Sequence, residues 1–249
     1  MTVESRWMEV GGRRCRVFCA GLRPSVSGDV GDGAGCPLLV QLVSERQEED
    51  LEREAEMIAA AGMPFTMVAV PVRDWELELM PWAEPAVSKR PEVGTGAGET
   101  LRYLDRMLPA CDNVILGGYS LAGLFALWAA CQTDRFGAVV AGSPSLWAGD
   151  WPGYAAGHAM QARQVYLSLG DREERSRNKT FARVGDRIRE EHRRLQQQLG
   201  EGNTTLVWEE GGHFADPAAR MARGFVWCLS ENNSPACGGD LGNRGNHRF

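Results

Sequence analysis

Residues 113–130 constrain this chain more than any other stretch. Asn113-Val114-Ile115-Leu116-Gly117-Gly118 reads as a short apolar strand, and Tyr119-Ser120-Leu121-Ala122 as a tight turn with a serine at its tip. Gly123-Leu124-Phe125-Ala126-Leu127-Trp128-Ala129-Ala130 then reads as a helix. When a strand passes this directly into a helix, the two backbones run close together. The positions two before and two after the serine must therefore be small, and they are Gly118 and Ala122. The serine is held in a strained conformation that points its oxygen clear of the sheet. A Gly-x-Ser-x-Ala match alone is better read as a plain turn between a buried strand and a buried helix. The rest of the chain decides between the two.

With 249 residues, 43% of them hydrophobic and 24% charged, the chain can bury one substantial core. We expect one domain over residues 1–230 and a disordered tail over 231–249, where Asn, Gly, Ser and Pro dominate. A net charge of −6 argues against binding nucleic-acid phosphates. No apolar run is long enough to span a membrane. Met1-Thr2-Val3-Glu4-Ser5-Arg6 is charged and carries no apolar leader. Seven cysteines, none in a Cys-x-x-Cys pair, fit reduced and packed thiols. These features together predict a cytoplasmic protein.

Along the chain, strand-like and helix-like stretches alternate. Residues Trp7 to Ala20 suggest one strand or a hairpin about Gly11-Gly12, and 24–36 a Gly- and Asp-rich surface loop. Cys36 to Val43 is a buried strand, 47–61 an amphipathic helix closed by Gly62, and Phe65 to Val72 a second strand. Strand, helix, strand in that order implies a parallel pair with a right-handed crossover. Residues 73–93 read as a less regular segment. Its Trp75 and Trp82 are either a substrate-pocket wall or aromatic anchors that pin the segment to the core. Gly94-Thr95-Gly96-Ala97-Gly98 leads into a helix to Leu108; no strand feeds it, so it reads as a lead-in rather than a phosphate cradle. Further strands fall at Phe136 to Ala141, Gln164 to Leu169 and Thr204 to Trp208, with helices over 179–199 and 217–229. The fold class is therefore α/β, with a mostly parallel central sheet and helices on both faces.

A serine hydroxyl is a poor nucleophile at neutral pH. It needs a base within hydrogen-bond reach, and the base needs an orienting acid. Ser120, a cluster of acids at 171–174 and His213 all follow the C-terminal ends of expected strands, in the order serine, acid, histidine. The other histidines sit elsewhere: His158 in a Gly/Ala-rich stretch, His192 on a charged helix face, His247 in the tail. Glu173 is the first candidate for the acid, then Asp171, with Glu174 beside them. Two backbone amides would have to face the developing oxyanion. Leu121 supplies one, and the turn after Val43, near Ser44 or Glu45, the other. The set implies no metal or organic cofactor.

Four stretches carry a family resemblance: Gly118-Tyr119-Ser120-Leu121-Ala122-Gly123-Leu124, Gly142-Ser143-Pro144-Ser145-Leu146-Trp147, Ser168-Leu169-Gly170-Asp171-Arg172-Glu173 and Gly211-Gly212-His213-Phe214. Over about residues 36–229 the chain resembles the α/β-hydrolase branch that includes esterase D and the enterobactin-type siderophore esterases. It departs from that pattern at Ala122, in lacking a His-Gly turn after Val43, and in its short N-terminal region. The resemblance implies hydrolysis of a small-molecule carboxylic ester through an acyl-serine. Trp75, Trp82, Tyr119 and Trp147 are the candidate pocket residues. Acyl transfer to another acceptor, and a non-catalytic binding role on the same scaffold, are the alternatives.

Overall fold

The computed structural model describes residues 1–21, 36–83, 96–109 and 114–230. The Gly- and Asp-rich segment up to residue 35, Gly94-Thr95 and the tail from 231 lie outside the described residues, as do Cys111, Cys237 and His247.

Alternation of side chains and the Gly11-Gly12 turn, both glycines at positive φ, make a hairpin of β1 (Val3–Val10) and β2 (Arg13–Ala20). Six apolar runs follow as β3 (Leu38–Val43), β4 (Phe65–Pro71), β5 (Val114–Tyr119), β6 (Ala138–Gly142), β7 (Gln164–Gly170) and β8 (Thr204–Glu209). They form one eight-stranded sheet in the order β1-β2-β4-β3-β5-β6-β7-β8. Only the β1–β2 and β2–β4 pairs are antiparallel; β4, β3 and β5 to β8 run parallel. The near-continuous apolar strands follow from this, because a parallel sheet is covered on both faces.

Nine helices accompany the strands among the described residues: α1 (Glu45–Glu48), α2 (Leu51–Ala60), α3 (Trp75–Leu79), α4 (Ala97–Met107), α5 (Leu121–Gln132), α6 (Trp151–Gly157), α7 (Lys179–Ala182), α8 (Val184–Leu199) and α9 (Pro217–Leu229). Two expected single helices are each divided: 47–61 becomes α1 and α2, and 179–199 becomes α7 and α8. Residues 73–93, expected to be irregular, contain α3, whose start is capped by the Asp74 side chain accepting from the Leu77 amide. The helix α6 is also new, and begins at a second aspartate cap, Asp150. Elsewhere boundaries move by a residue or two, as helix and strand ends do.

The alternation along each strand sorts the core into two layers. Leu39, Val43, Met67, Ala69, Ile115 and Val140 pack with α2 and α9 on one face. Val40, Leu42, Val68, Val70, Leu116 and Val139 pack with α4, α5, α6 and α8 on the other. The elbow helix α5 is apolar all round and almost wholly buried, as a helix pressed between sheet and neighbours must be. Among the described residues no helix is long and apolar enough to cross a membrane. Cys15, Cys19, Cys36, Cys131 and Cys228 are free thiols. Burial pushes the Cys36 thiol up to about 11 and Cys131 to about 12, so neither is a ready nucleophile.

Candidate active site

The edge formed by the C-terminal ends of β5 to β8 gathers one polar residue from each strand end. Ser120 follows β5, Ser143 follows β6, Glu173 lies just past β7 and His213 just past β8. Ser120 has φ 60° and ψ −119°, a conformation that non-glycine residues rarely hold. The packing that enforces it is local. A Cβ on Gly118 would lie 2.3 Å from the Ala122 carbonyl oxygen and 2.8 Å from the Ala122 Cβ, so strand and helix meet only because position 118 has no side chain.

His213 Nε2 lies 2.9 Å from Ser120 Oγ, and His213 Nδ1 lies 2.7 Å from Glu173 Oε2. An ionised carboxylate only accepts, so the ring proton sits on Nδ1 and Nε2 is left to accept from the serine hydroxyl. Burial opposes the charge of Glu173. Hydrogen bonds from His213, Ser143 and the Gly170 amide outweigh it and hold the carboxyl below its ordinary range. Gly170 N–H and Ser143 Oγ–H both donate to Glu173 Oε1, at 2.8 and 2.7 Å. Glycine is again required here, since a Cβ on Gly170 would sit 2.9 Å from that same oxygen.

The three acids at 171–174 separate. Glu173 faces His213. Asp171 accepts from the Gly211 amide at 2.8 Å and so braces the loop that carries His213. Glu174 pairs with Arg189 at 2.8 Å. Among the other histidines, His158 stacks on Tyr154 with centroids 4.1 Å apart, and His192 lies on α8.

A residue the sequence did not point to lies behind this set. Arg220 of α9 is 1% exposed. Its Nη1 donates to Tyr119 Oη, Ser143 Oγ and Glu173 Oε1 at 3.0, 3.1 and 3.3 Å, and its Nη2 to the carbonyls of Gly212 and Glu210 at 3.0 and 3.3 Å. Tyr119 in turn donates to the His213 carbonyl at 2.8 Å. One readable signal existed: Arg220 stands among Ala218, Ala219, Met221, Ala222 and Gly224 on the apolar side of α9, where a charge needs a partner.

Leu121 is the first residue of α5. Its amide belongs to the first helical turn, where N–H groups have no intrahelical acceptor and the helix dipole favours negative charge. Ser44 is a correction. It caps α1, and its N–H donates to Gln47 Oε1 at 3.0 Å in a capping box, so that amide is already taken.

Two cavities meet at Ser120, His213 and Phe214. The first, about 400 Å³, is walled by Trp147, Phe181 and Val184. The second, about 490 Å³, is walled by Trp75, Tyr119, Gln41, Glu54 and the turn at Ser44. Trp147 and Trp75 thus stand beside the serine. Tyr119 contributes wall, but its hydroxyl is engaged behind the site. Trp82 is absent from both linings; it packs against Tyr154 and Trp151, with centroids 5.5 and 6.4 Å away, in its anchoring role. Phe214 is 85% exposed at the shared rim. Among the described residues no group of three or more His, Cys, Asp or Glu side chains is arranged to hold a metal ion.

No protein-family model matches the chain, and no curated protein does. Solved structures do. A siderophore hydrolase, EstA, of Aspergillus nidulans superimposes with a TM-score of 0.63 at 17% identity, covering 92% of this chain and 95% of that one. The chain has the α/β-hydrolase fold. The enterobactin esterase of Shigella flexneri, solved in the presence of 2,3-dihydroxy-N-benzoyl-serine, gives a TM-score of 0.60 at 18% identity over 91% of this chain; that protein is longer, and 58% of it is covered. A fluorophosphonate-binding serine hydrolase of Staphylococcus aureus, substrate bound, gives 0.52 at 13% identity over 94% of this chain and 99% of its own. The α/β-hydrolase fold accounts for the parallel order of β3 to β8 and for the strand ends at which Ser120, Glu173 and His213 converge.

Proposed function

We propose that this protein is a serine hydrolase that cleaves a small-molecule carboxylic ester through an acyl-serine. The observation that carries the reading is the continuous relay from Ser120 Oγ to His213 Nε2 at 2.9 Å and from His213 Nδ1 to Glu173 Oε2 at 2.7 Å. In the first step Ser120 Oγ attacks the ester carbonyl carbon as His213 Nε2 takes its proton. Glu173 holds the ring tautomer and stabilises the imidazolium. The Leu121 amide faces the oxyanion, and the alkoxide leaves with the proton from His213. In the second step His213 removes a proton from water, which attacks the acyl carbon; His213 then returns that proton to Ser120 Oγ as the acyl–Oγ bond breaks, releasing the acid and restoring the serine hydroxyl. The two cavities that meet at Ser120 suit the two sides of an ester, one for the acyl group and one for the alcohol.

One observation favours a second reading. The Ser44 amide is occupied, which leaves Leu121 and, in the turn after Val43, Glu45 to supply the oxyanion donors, and a binding protein on a hydrolase scaffold needs none. A fluorophosphonate probe separates the two. The hydrolase reading expects covalent labelling at Ser120 by peptide mapping, lost in Ser120→Ala and His213→Ala, together with turnover of short p-nitrophenyl esters. A folded protein that neither labels nor turns over any ester overturns it.

A further inference from the structure

The second cavity contains an arrangement that the ester chemistry does not use. Gln41 of β3 and Glu54 of α2 line it, and they are 1% and 3% exposed. Gln41 Nε2 donates to Glu54 Oε2 at 3.3 Å. The remaining polar atom of each side chain, Glu54 Oε1 and Gln41 Oε1, is buried with no hydrogen-bond partner among the described residues. Two unpartnered acceptor oxygens at one place cost free energy unless something donates to them. Neither lies in the relay of Ser120, His213 and Glu173; their mutual hydrogen bond, which ties α2 to β3, uses only one polar atom of each.

The surroundings specify the missing donor. Asp50 adds a second carboxyl to the lining, and the Trp75 ring offers a π face. Among the described lining residues Arg46 is the one arginine or lysine, and His213 stands at the shared rim. The nearby Arg53 is directed away, onto Asp216 at 2.5 Å and Asp50 at 3.6 Å. Glu54 is therefore a buried carboxyl without a partner cation, and burial pushes it up to about 8. A neutral hydroxyl would leave that carboxyl protonated and fill at most one acceptor well. An ammonium supplies three N–H donors and the charge that lets Glu54 ionise at this depth.

We propose that the part of the ester entering this cavity carries a protonated amine, seated on Glu54 and Gln41 against Trp75. The inference rests on the hydrolase reading for what Ser120 does, while the seat is a property of the cavity itself.

The test uses the full chain and matched ester sets. In each set the acyl chain, or in a mirror set the alcohol chain, ends in ammonium, hydroxyl or methyl at equal length. The expected result is a kcat/KM preference for ammonium over methyl of about 10- to 100-fold, the range of a hydrogen bond to a buried charge. In Glu54→Gln that ratio collapses to within about threefold. A wild-type protein that prefers methyl or hydroxyl ends, or a preference that survives in Glu54→Gln, overturns the proposal and leaves the hydrolase standing. If no ester is turned over and Ser120 does not label, the hydrolase reading fails, and calorimetric titration with n-butylammonium against n-butanol reads the seat alone. Ammonium binding that weakens in Glu54→Gln supports it; absent or equal binding of the two probes overturns it. Should Glu54→Gln not fold, the same titration in Gln41→Leu, expected to weaken ammonium binding, takes its place.

Discussion

Arg220 Nη1 lies 3.3 Å from Glu173 Oε1, and the opposite arm of the same guanidinium holds the carbonyls of Glu210 and Gly212. One buried cation thus ties the carboxylate that faces His213 to the loop that delivers His213. The contacts are to backbone and to side chains from three strand ends, so the guanidinium acts as a positioning group. A lysine would carry the charge, but its single nitrogen cannot span both sets of acceptors.

Arg220→Lys is expected to lower kcat by about 100-fold with little change in KM, the scale of a misplacement near 1 Å. Arg220→Ala leaves Glu173 without its buried cation and is expected to cost about 3–5 kcal/mol of stability. Steady-state kinetics on the ester panel and thermal melting measure the two effects. A change in KM alone would contradict the positioning role.

The relay of Ser120, His213 and Glu173 predicts non-additive losses. Ser120→Ala and His213→Ala are each expected to reduce kcat by about a millionfold, and the double variant no further, because the two act as one unit. Glu173→Gln is expected to cost about 10⁴-fold, since an amide cannot hold the Nδ1–H tautomer. Kinetics on the three singles and the double check this. A double variant far below either single would rule out a shared step.

The contact between strand and helix at the elbow predicts a sharp size limit. Gly118→Ala drives a methyl to within 2.3 Å of the Ala122 carbonyl oxygen. The expected cost is at least about 1–3 kcal/mol, seen as a fall in Tm of about 2–4 °C per kcal/mol. Gly157→Ala is the contrasting case. It lies in α6 with no atom within 4 Å of a new Cβ, and a gain of up to about 1 kcal/mol is expected.

Glu54 predicts a pH dependence of stability. Its folded value is raised from 4.5 to about 8, chiefly by burial, with Asp50 adding and Gln41 and Arg53 opposing. The folded chain therefore binds a proton that the unfolded chain has released. The contribution is complete below pH 4.5 and is lost as pH rises toward about 8. This one group makes stability fall by up to about 1.4 kcal/mol per pH unit in that window. Denaturant unfolding between these limits should show the slope, and Glu54→Gln should remove it. Equal slopes in both proteins would show that Glu54 is charged in the folded state.

Glu173 works in the opposite sense. Its folded value is held down, so its contribution is present above the unfolded carboxylate range and is lost as pH falls through the lowered value.

Much of this architecture is legible in the residue order. Apolar runs of strand length alternate with amphipathic stretches, and the small residues around Ser120 mark a strand passing straight into a helix. His213 stands out because two glycines and a strand end precede it. Local chemistry suffices for these features, since periodicity and turn residues act over a few positions. The sequence could not separate Asp171, Glu173 and Glu174, because three acids within four residues carry the same local signal. Only the turn after β7 aims one of them at His213 and leaves the others to a loop amide and to Arg189. The Ser44 amide was likewise undecided, because a capping box from Ser44 to Gln47 competes for it. Arg220, Gln41 and Glu54 take their partners from elements far away in the chain. Their roles come from packing two layers onto one sheet, where burial turns a polar side chain into an obligation to find a partner.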